Sequence, residues 1–240
     1  LKIALIGYGK MGKAIEAIAM EQGHEIVLRI NSKNNADLNP DNLKKADIAI
    51  EFTHPGSAVA NIRKCIENGL PVVCGTTGWL QYMDEVVSFC KEHDGALLVA
   101  SNFSIGVNIF FEINRILAKL MAKRKEYDVS VEETHHTQKK DAPSGTAISI
   151  AEDILREIGS KSKWVKENSG NKEELMITSK RVDPAPGTHI VTYDSAIDSI
   201  EIKHTAHNRT GFATGAVMAA AFLAGKKGVY TMEDVLKSSS

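Results

Sequence analysis

The chain has 240 residues, 43% of them hydrophobic and 25% charged, which gives room for one large or two modest globular domains. A net charge of −1 excludes the electrostatic footprint of a nucleic-acid or membrane-surface binder. The cysteines Cys65, Cys74 and Cys90 are odd in number and form no CxxC. They exclude a disulfide framework or a cysteine zinc site and suit a reducing cytoplasm.

The opening residues read as a strand, so no signal peptide is expected. Ile3–Ile6 is short and apolar. Gly7-Tyr8-Gly9-Lys10-Met11-Gly12 follows, then a helical pattern (Met11, Ile15, Ile18, Ala19) stopped by Gly23 and a second strand, Glu25–Ile30. This is a βαβ unit with G-x-G-x-x-G at its first turn, the arrangement that binds a dinucleotide. Gly7 permits the tight turn, Gly9 lets the backbone approach a pyrophosphate, and Gly12 lets the helix pack on the strand. The bland alternative is a glycine-rich structural turn. An acidic residue after the second strand would favour NAD. Arg29 to Asn34 supply none, and Ser32 and Lys33 can contact a 2′-phosphate. The reading leans to NADPH and leaves NADH open; the plain alternative puts Lys33 in solvent.

Asn39–Ala46 reads as a turn and short helix, Asp47–Phe52 as a third strand, Ser57–Asn68 as a helix ended by Gly69. Pro71–Cys74 is a fourth strand, Leu80–Glu92 a helix and Ala96–Ala100 a fifth strand. Alternating strands and helices imply a Rossmann-type parallel sheet, whose ligands lie beyond the strand C-termini. Thr76, Thr77 and Asn102 fall there, where ribose or nicotinamide contacts and ordinary turn chemistry are equally served. His54 and His93 read as surface or loop histidines.

After Asn102 the rhythm changes. The expected division is 1–102 with 210–240 for the dinucleotide, and 103–209 as an α+β substrate and oligomerisation domain with an open mixed sheet. Val107–Met121 is a long helix and Tyr127–Thr134 a strand. Lys161–Lys172 reads as a polar loop. Leu175–Val182, Thr188–Ser195 and Ser199–Thr205 read as successive, mostly antiparallel strands. Open edges invite burial by another subunit. Thr210–Ala224 is helical; the most apolar run, Gly211–Gly225, is too short to span a membrane. Val229–Lys237 returns to the first domain.

Between the Tyr127–Thr134 strand and a helical pattern from Ala147 lies E-E-T-H-H-T-Q-K-K-D-A-P-S-G-T-A, Glu132 to Ala147. Ser144, Gly145 and Thr146 stand at the helix start, where free N–H groups bind anions, with histidines and lysines beside them to move protons. A solvated loop capped by Ser144 is the simpler reading. Arg209 opens the next helix and can grip a carboxylate; an ordinary surface ion pair is its alternative. A metal site from His204, His207 and the His135-His136 pair lacks a carboxylate at zinc-motif spacing, so no metal is expected.

The chain resembles the dihydrodipicolinate reductase family from end to end. The resemblance rests on Glu133-Thr134-His135-His136, Lys139 and Asp141-Ala142-Pro143-Ser144-Gly145-Thr146-Ala147. Phe52-Thr53-His54-Pro55, Gly75-Thr76-Thr77-Gly78, Asn102 to Asn108 and Met232 to Leu236 support it. It implies a two-domain homotetramer that reduces a cyclic imine dicarboxylate with NADH or NADPH. It further implies His135 and Lys139 as candidate proton donors, and His136, Lys139, Gly145 and Thr146 as substrate contacts, with Arg209 near the substrate. Gly7–Gly12, Gly75–Thr77 and Ala100–Phe103 (with Ser101) would hold the cofactor. This chain departs from many members in a glycine loop one residue shorter and in Asn31, where an acidic residue is common; the second departure puts NADH preference in doubt.

Overall fold

The computed structural model describes residues 1–166, 170–208 and 210–238. The chain forms two compact units, Leu1–Ile105 with Thr210–Ser240, and Gly106–Arg209.

In the first unit, β1 (Lys2–Ile6), α1 (Lys10–Glu21) and β2 (Glu25–Ile30) lead through α2 (Pro40–Leu43) to β3 (Ile48–Glu51). Helix α3 (Pro55–Glu67), β4 (Val72–Cys74), α4 (Met83–Glu92) and β5 (Ala96–Val99) follow. The strands β1, β3 and β4 are almost continuously buried, as a parallel sheet covered on both faces requires. One face holds Ile3, Leu5, Ile48, Ile50 and Leu98 with α1. The other holds Ala4, Ile6, Ala49, Val72 and Leu97 with α3 and α4. The segment expected as one helix from Leu80 starts instead as a 3-10 turn, Leu80–Tyr82. Buried Trp79 precedes it and donates its indole N–H to the Thr76 carbonyl at 2.7 Å.

The second unit carries α5 (Ile105–Met121), β6 (Asp128–His135), α6 (Gly145–Glu157), β7 (Lys163–Val165), β8 (Glu174–Arg181), β9 (Gly187–Asp194) and β10 (Ser199–Ala206). The order is β10-β9-β6-β8-β7. Two expectations are corrected here. Lys161–Lys172 contains the strand β7, too short and polar for alternation to reveal. And β6–β8 and β7–β8 are parallel pairs, leaving only β6–β9 and β9–β10 antiparallel. The α6 crossover returns the chain parallel to β6. Thus β8 and β9 flank β6, although the turn after Val182 joins them directly. Strand β6 alternates strictly. The face that buries Val129 and Val131 in the core must therefore also bury Glu133 and His135.

The chain then returns to the first unit with α7 (Thr210–Leu223), β11 (Gly228–Tyr230) and α8 (Met232–Ser238). Strand β11 pairs with β5 and completes a six-stranded sheet, β11-β5-β4-β3-β1-β2. The order reverses at β1, so the crevice between the ends of β1 and β3 is the switch point where such sheets bind ligands. Small residues let α7 lie close: a Cβ at Gly215 would stand 1.7 Å from the Phe103 carbonyl oxygen. Gly215→Ala should therefore lower unfolding free energy by about 1–3 kcal/mol. A urea midpoint unchanged from the wild type would show that the helix shifts freely.

Candidate active site

The second unit builds its site around Glu133, a wholly buried carboxylate near the end of β6. It accepts the Ser144 backbone N–H at 3.1 Å, the Ser179 hydroxyl at 2.8 Å and Arg181 Nη2 at 3.2 Å. His135 Nδ1, itself buried, lies 3.3 Å from Oε2 but off the line of a hydrogen bond. His189 Nε2 is 4.0 Å away, and the two imidazoles meet edge-on at 5.2 Å. Burial would raise the Glu133 pKa. The hydrogen bonds outweigh it and hold the group well below the ordinary carboxylate range.

Arg181 ties the following loop to the same charge, donating to the carbonyls of Lys139 (3.3 Å) and Asp141 (2.6 Å). Lys139 Nζ bonds both Asp141 carboxylate oxygens at 2.8 Å. Half-exposed His136 lies near Asp183, whose carboxylate accepts the Thr137 N–H at 3.1 Å and its hydroxyl at 2.6 Å. Ser144 caps α6: its hydroxyl accepts the Ala147 N–H at 3.2 Å and sits 3.3 Å from His189 Nε2. Gly145 opens the helix, and a Cβ there would meet nothing within 4 Å. The unit thus sets an anion-binding helix start beside a buried imidazole and a paired ammonium.

His135, His136, Lys139, Gly145 and Thr146 all fall on this one β6–α6 connection; Arg209 lies outside the described residues. Ser179, Arg181 and His189 had no sequence signal, since they reach Glu133 from other strands. The metal-like donor set is Glu133, His135 and His189, within 4.8 Å of one another, rather than His204 and His207. The Arg181 guanidinium on the same carboxylate opposes a cation there.

In the first unit, Gly7 takes φ +101°, and a Cβ there would lie 1.9 Å from the Phe52 carbonyl oxygen. One at Gly12 would lie 2.5 Å from the Gly7 carbonyl oxygen, whereas one at Gly9 would meet nothing. No side chain caps α1, so the N–H groups of Lys10, Met11 and Gly12 stand ready for a phosphate. A cavity of about 510 Å³ opens on this loop. Gly7, Tyr8 and Gly9 form one wall and Asn31, Ser32 and Asn35 a second. A third, unforeseen from sequence, comes from Thr53, His54, Ser57 and Asn61. His54, expected as a plain surface or loop residue, is the N-cap residue of α3 and part of that wall.

Lys33 is exposed and not part of the lining. Asn31 Oδ1 accepts the Lys33 N–H at 2.8 Å, so its amide offers N–H donors outward. Arg29, two residues before Asn31, is taken by Glu16. Gly75, Thr76 and Thr77 follow β4, and Ala100, Ser101, Asn102 and Phe103 follow β5, outside the cavity lining. Thr76 Oγ1 accepts the Thr53 N–H at 2.7 Å, and Asn102 Oδ1 the Ser104 N–H at 2.9 Å. Phe103 is buried, its ring 5.5 Å from that of Phe52, so only its backbone can meet a ligand.

Comparison with known proteins gives a consistent result. The sequence model described as dihydrodipicolinate reductase, N-terminus, matches residues 1–103, and the C-terminus model matches residues 106–236. A 4-hydroxy-tetrahydrodipicolinate reductase of Christiangramia forsetii is 48% identical over 98% of each chain. One from Methanoculleus marisnigri is 39% identical over 81% of this chain and 77% of its own. Among solved structures, the dipicolinate-bound dihydrodipicolinate reductase of Paenisporosarcina sp. TG-14 superposes with a TM-score of 0.80. It covers 96% of this chain and 97% of its own at 23% identity, a likeness of fold.

The buried charges make stability depend on pH. Burial, with His135 alongside, pushes His189 down to about 3 from its ordinary 6.5. Between those values the unfolded chain binds the proton that the folded chain refuses, so stability falls as pH drops through that window. Glu133 works in the same direction from 4.5 downward, since its folded form resists protonation. His189→Gln keeps a hydrogen-bonding group beside Ser144 and removes the titration. The stability lost between about pH 6 and pH 5, on the order of 1 kcal/mol for one such group, should shrink in the variant. Urea unfolding at both pH values decides it; equal losses in the two proteins would acquit His189.

Proposed function

The chain belongs to the dihydrodipicolinate reductase family, and from that premise we propose how its residues divide the work. It catalyses the NAD(P)H-dependent reduction of 4-hydroxy-tetrahydrodipicolinate to tetrahydrodipicolinate, a step of lysine and diaminopimelate biosynthesis. We assign the first unit to the dinucleotide and the second to the substrate. The observation that carries the assignment of roles is the shared carboxylate: Glu133 contacts both the His135 imidazole and the Ser144 N–H that begins α6.

The substrate is a small ring with two carboxylates. Gly145 and Thr146 N–H groups take one of them, aided by the helix dipole. Lys139 and His136, with Arg209, balance the remaining charge. Loss of the 4-hydroxyl as water gives a conjugated C=C–C=N system, to which a nicotinamide, when bound, would supply the hydride. Electron density then builds toward the ring nitrogen and needs a proton. We favour His135 as its source. Its Nδ1 lies 3.3 Å from the Glu133 carboxylate at the mouth of the helix start, while the Lys139 ammonium would have to abandon two bonds to Asp141 to deliver a proton. Lys139 then serves as the electrostatic partner of the substrate.

The glycine loop and the uncapped start of α1 suit the pyrophosphate, and the open space at Gly9 leaves room for it. Gly75–Thr77 and Ala100–Phe103, beyond β4 and β5, are the proposed contacts toward the nicotinamide. For the adenosine ribose we favour NADPH over NADH. The Asn31 amide presents donors and Ser32 a hydroxyl; Lys33, without an ion pair among the described residues, adds positive charge at the rim. Self-association, as a homotetramer, is supported by an exposed stripe on α5: Ile109, Ile113, Ile116 and Leu120 are 44–67% exposed on one face. The cytoplasm suits the three buried free thiols. No described helix is long and apolar enough to cross a membrane, and no nucleic-acid partner is proposed.

His135→Gln should lower kcat by about 10²- to 10⁴-fold with KM within a few fold, the mark of a lost proton donor. Lys139→Ala should lower kcat and raise KM by about tenfold or more. A coupled assay from pyruvate and aspartate semialdehyde with the upstream synthase reads both; near-normal turnover in both variants would remove these residues from the chemistry. In the same assay kcat/KM should be larger with NADPH, and a strong NADH preference would refute the role given to Asn31–Lys33.

A further inference from the structure

Under the dinucleotide cavity lies a carboxyl group with no cationic partner among the described residues. Glu51, the last residue of β3, is wholly buried. Everything that bonds it is neutral: the Thr53 hydroxyl, Asn61 Nδ2 at 3.3 Å and the Cys74 thiol at 3.2 Å. Burying such a group is costly, so its retention beneath a ligand cavity needs an account.

Its effect is to set the direction of the hydrogen bonds above it. Thr53 donates its hydroxyl proton down to Glu51 Oε1, and its oxygen is left to receive Asn61 Nδ2 at 3.4 Å and to meet Ser57 Oγ at 2.9 Å. Both Asn61 contacts thus use the amide nitrogen. Asn61 is 8% exposed and belongs to the cavity wall, and its Oδ1 accepts from no described residue. The oxygen is the atom this side chain offers to a ligand. Thr53 and Ser57 share the wall, and the Thr53 backbone is pinned by its bond to Thr76.

We propose that Asn61 is a dinucleotide contact, an acceptor for a donor group on the adenosine half, and that Glu51 is the positioning residue that turns it. The assignment rests on the cavity being the dinucleotide site. The opposite walls already suit the pyrophosphate, at Gly7–Gly9, and the 2′-position of the ribose, at Asn31 and Ser32. The donors left on that half are the adenine amino group and the ribose 3′-hydroxyl.

The test is NADPH binding, followed by its fluorescence, with displacement by 5′-AMP, 5′-IMP and 3′-deoxy-AMP. Asn61→Leu should raise the NADPH Kd by about tenfold, the worth of one good hydrogen bond. If the adenine amine is the donor, 5′-IMP should bind the wild type more weakly than 5′-AMP, and Asn61→Leu should abolish the difference. If the ribose is the donor, 3′-deoxy-AMP shows that pattern instead. Glu51→Leu should raise KM for NADPH while kcat at saturation stays within about twofold, and Glu51→Gln, which still accepts from Thr53 and Asn61, should recover most of the affinity. A purely structural role would instead lower kcat and thermal stability in step and leave the nucleotide discrimination intact. Should Glu51→Leu fail to fold, Asn61→Leu at the cavity wall still decides. An Asn61→Leu protein binding NADPH as the wild type does overturns the proposal and leaves the dinucleotide site standing. A wild type that binds neither NADPH nor NADH overturns both.

Discussion

A single negative charge sealed from water organises the second unit of this protein. An isolated buried carboxylate would cost several kcal/mol, and Glu133 is wholly buried. The fold can hold it only by surrounding it with donors: a backbone N–H from Ser144, a hydroxyl from Ser179, a guanidinium from Arg181. The donors come from two places remote in sequence from each other, the start of α6 and strand β8, so satisfying the charge also gathers these elements around it. The start of α6 is drawn to the end of β6, and β8 is held beside both. Electrostatic necessity thereby becomes positional accuracy for the His135 imidazole and the start of α6.

The two units reach their functional geometry by opposite routes. In the first, the work is done by backbone: a turn no side chain could enter at Gly7, and an uncapped helix start. In the second it is done by side chains whose placement follows from strand periodicity. Because β6 alternates, its core valines and its acid–base pair occupy one face, and the passage from hydrophobic core to reactive site is one step of two residues. The family models divide the chain near the same place, at residues 1–103 and 106–236.

Much of this was legible in the residues. The glycine pattern sits between a strand and a helix, so local order in the chain reveals it. The E-x-H-H-x-x-K-x-D-A-P-S-G-T-A stretch is contiguous, so its crowding of ionisable groups was visible without coordinates. What stayed hidden is contributed at a distance. Ser179, Arg181 and His189 reach Glu133 only because β8 and β9 flank β6, an order that sequence adjacency argues against, since a short turn joins β8 to β9. Strand β7 escaped because three residues cannot display a period. Asn61 and Ser57 read as ordinary helix positions, and only the switch between β1 and β3 makes them part of a cavity wall. Asn31 was legible as an absence of charge; the direction of its amide was not, because that depends on a turn closed by Lys33.

The bond from the Ser144 N–H to Glu133 spans eleven positions of chain, and Arg181 stitches the middle of that span to the same carboxylate through the carbonyls of Lys139 and Asp141. Residues 133 to 144 therefore form a ring closed without a covalent bond. A ring of this kind has a set circumference. One residue gained or lost would open the clasp, expose the charge and part His135 from the start of α6. The stretch is thus held to a length as well as to a chemistry.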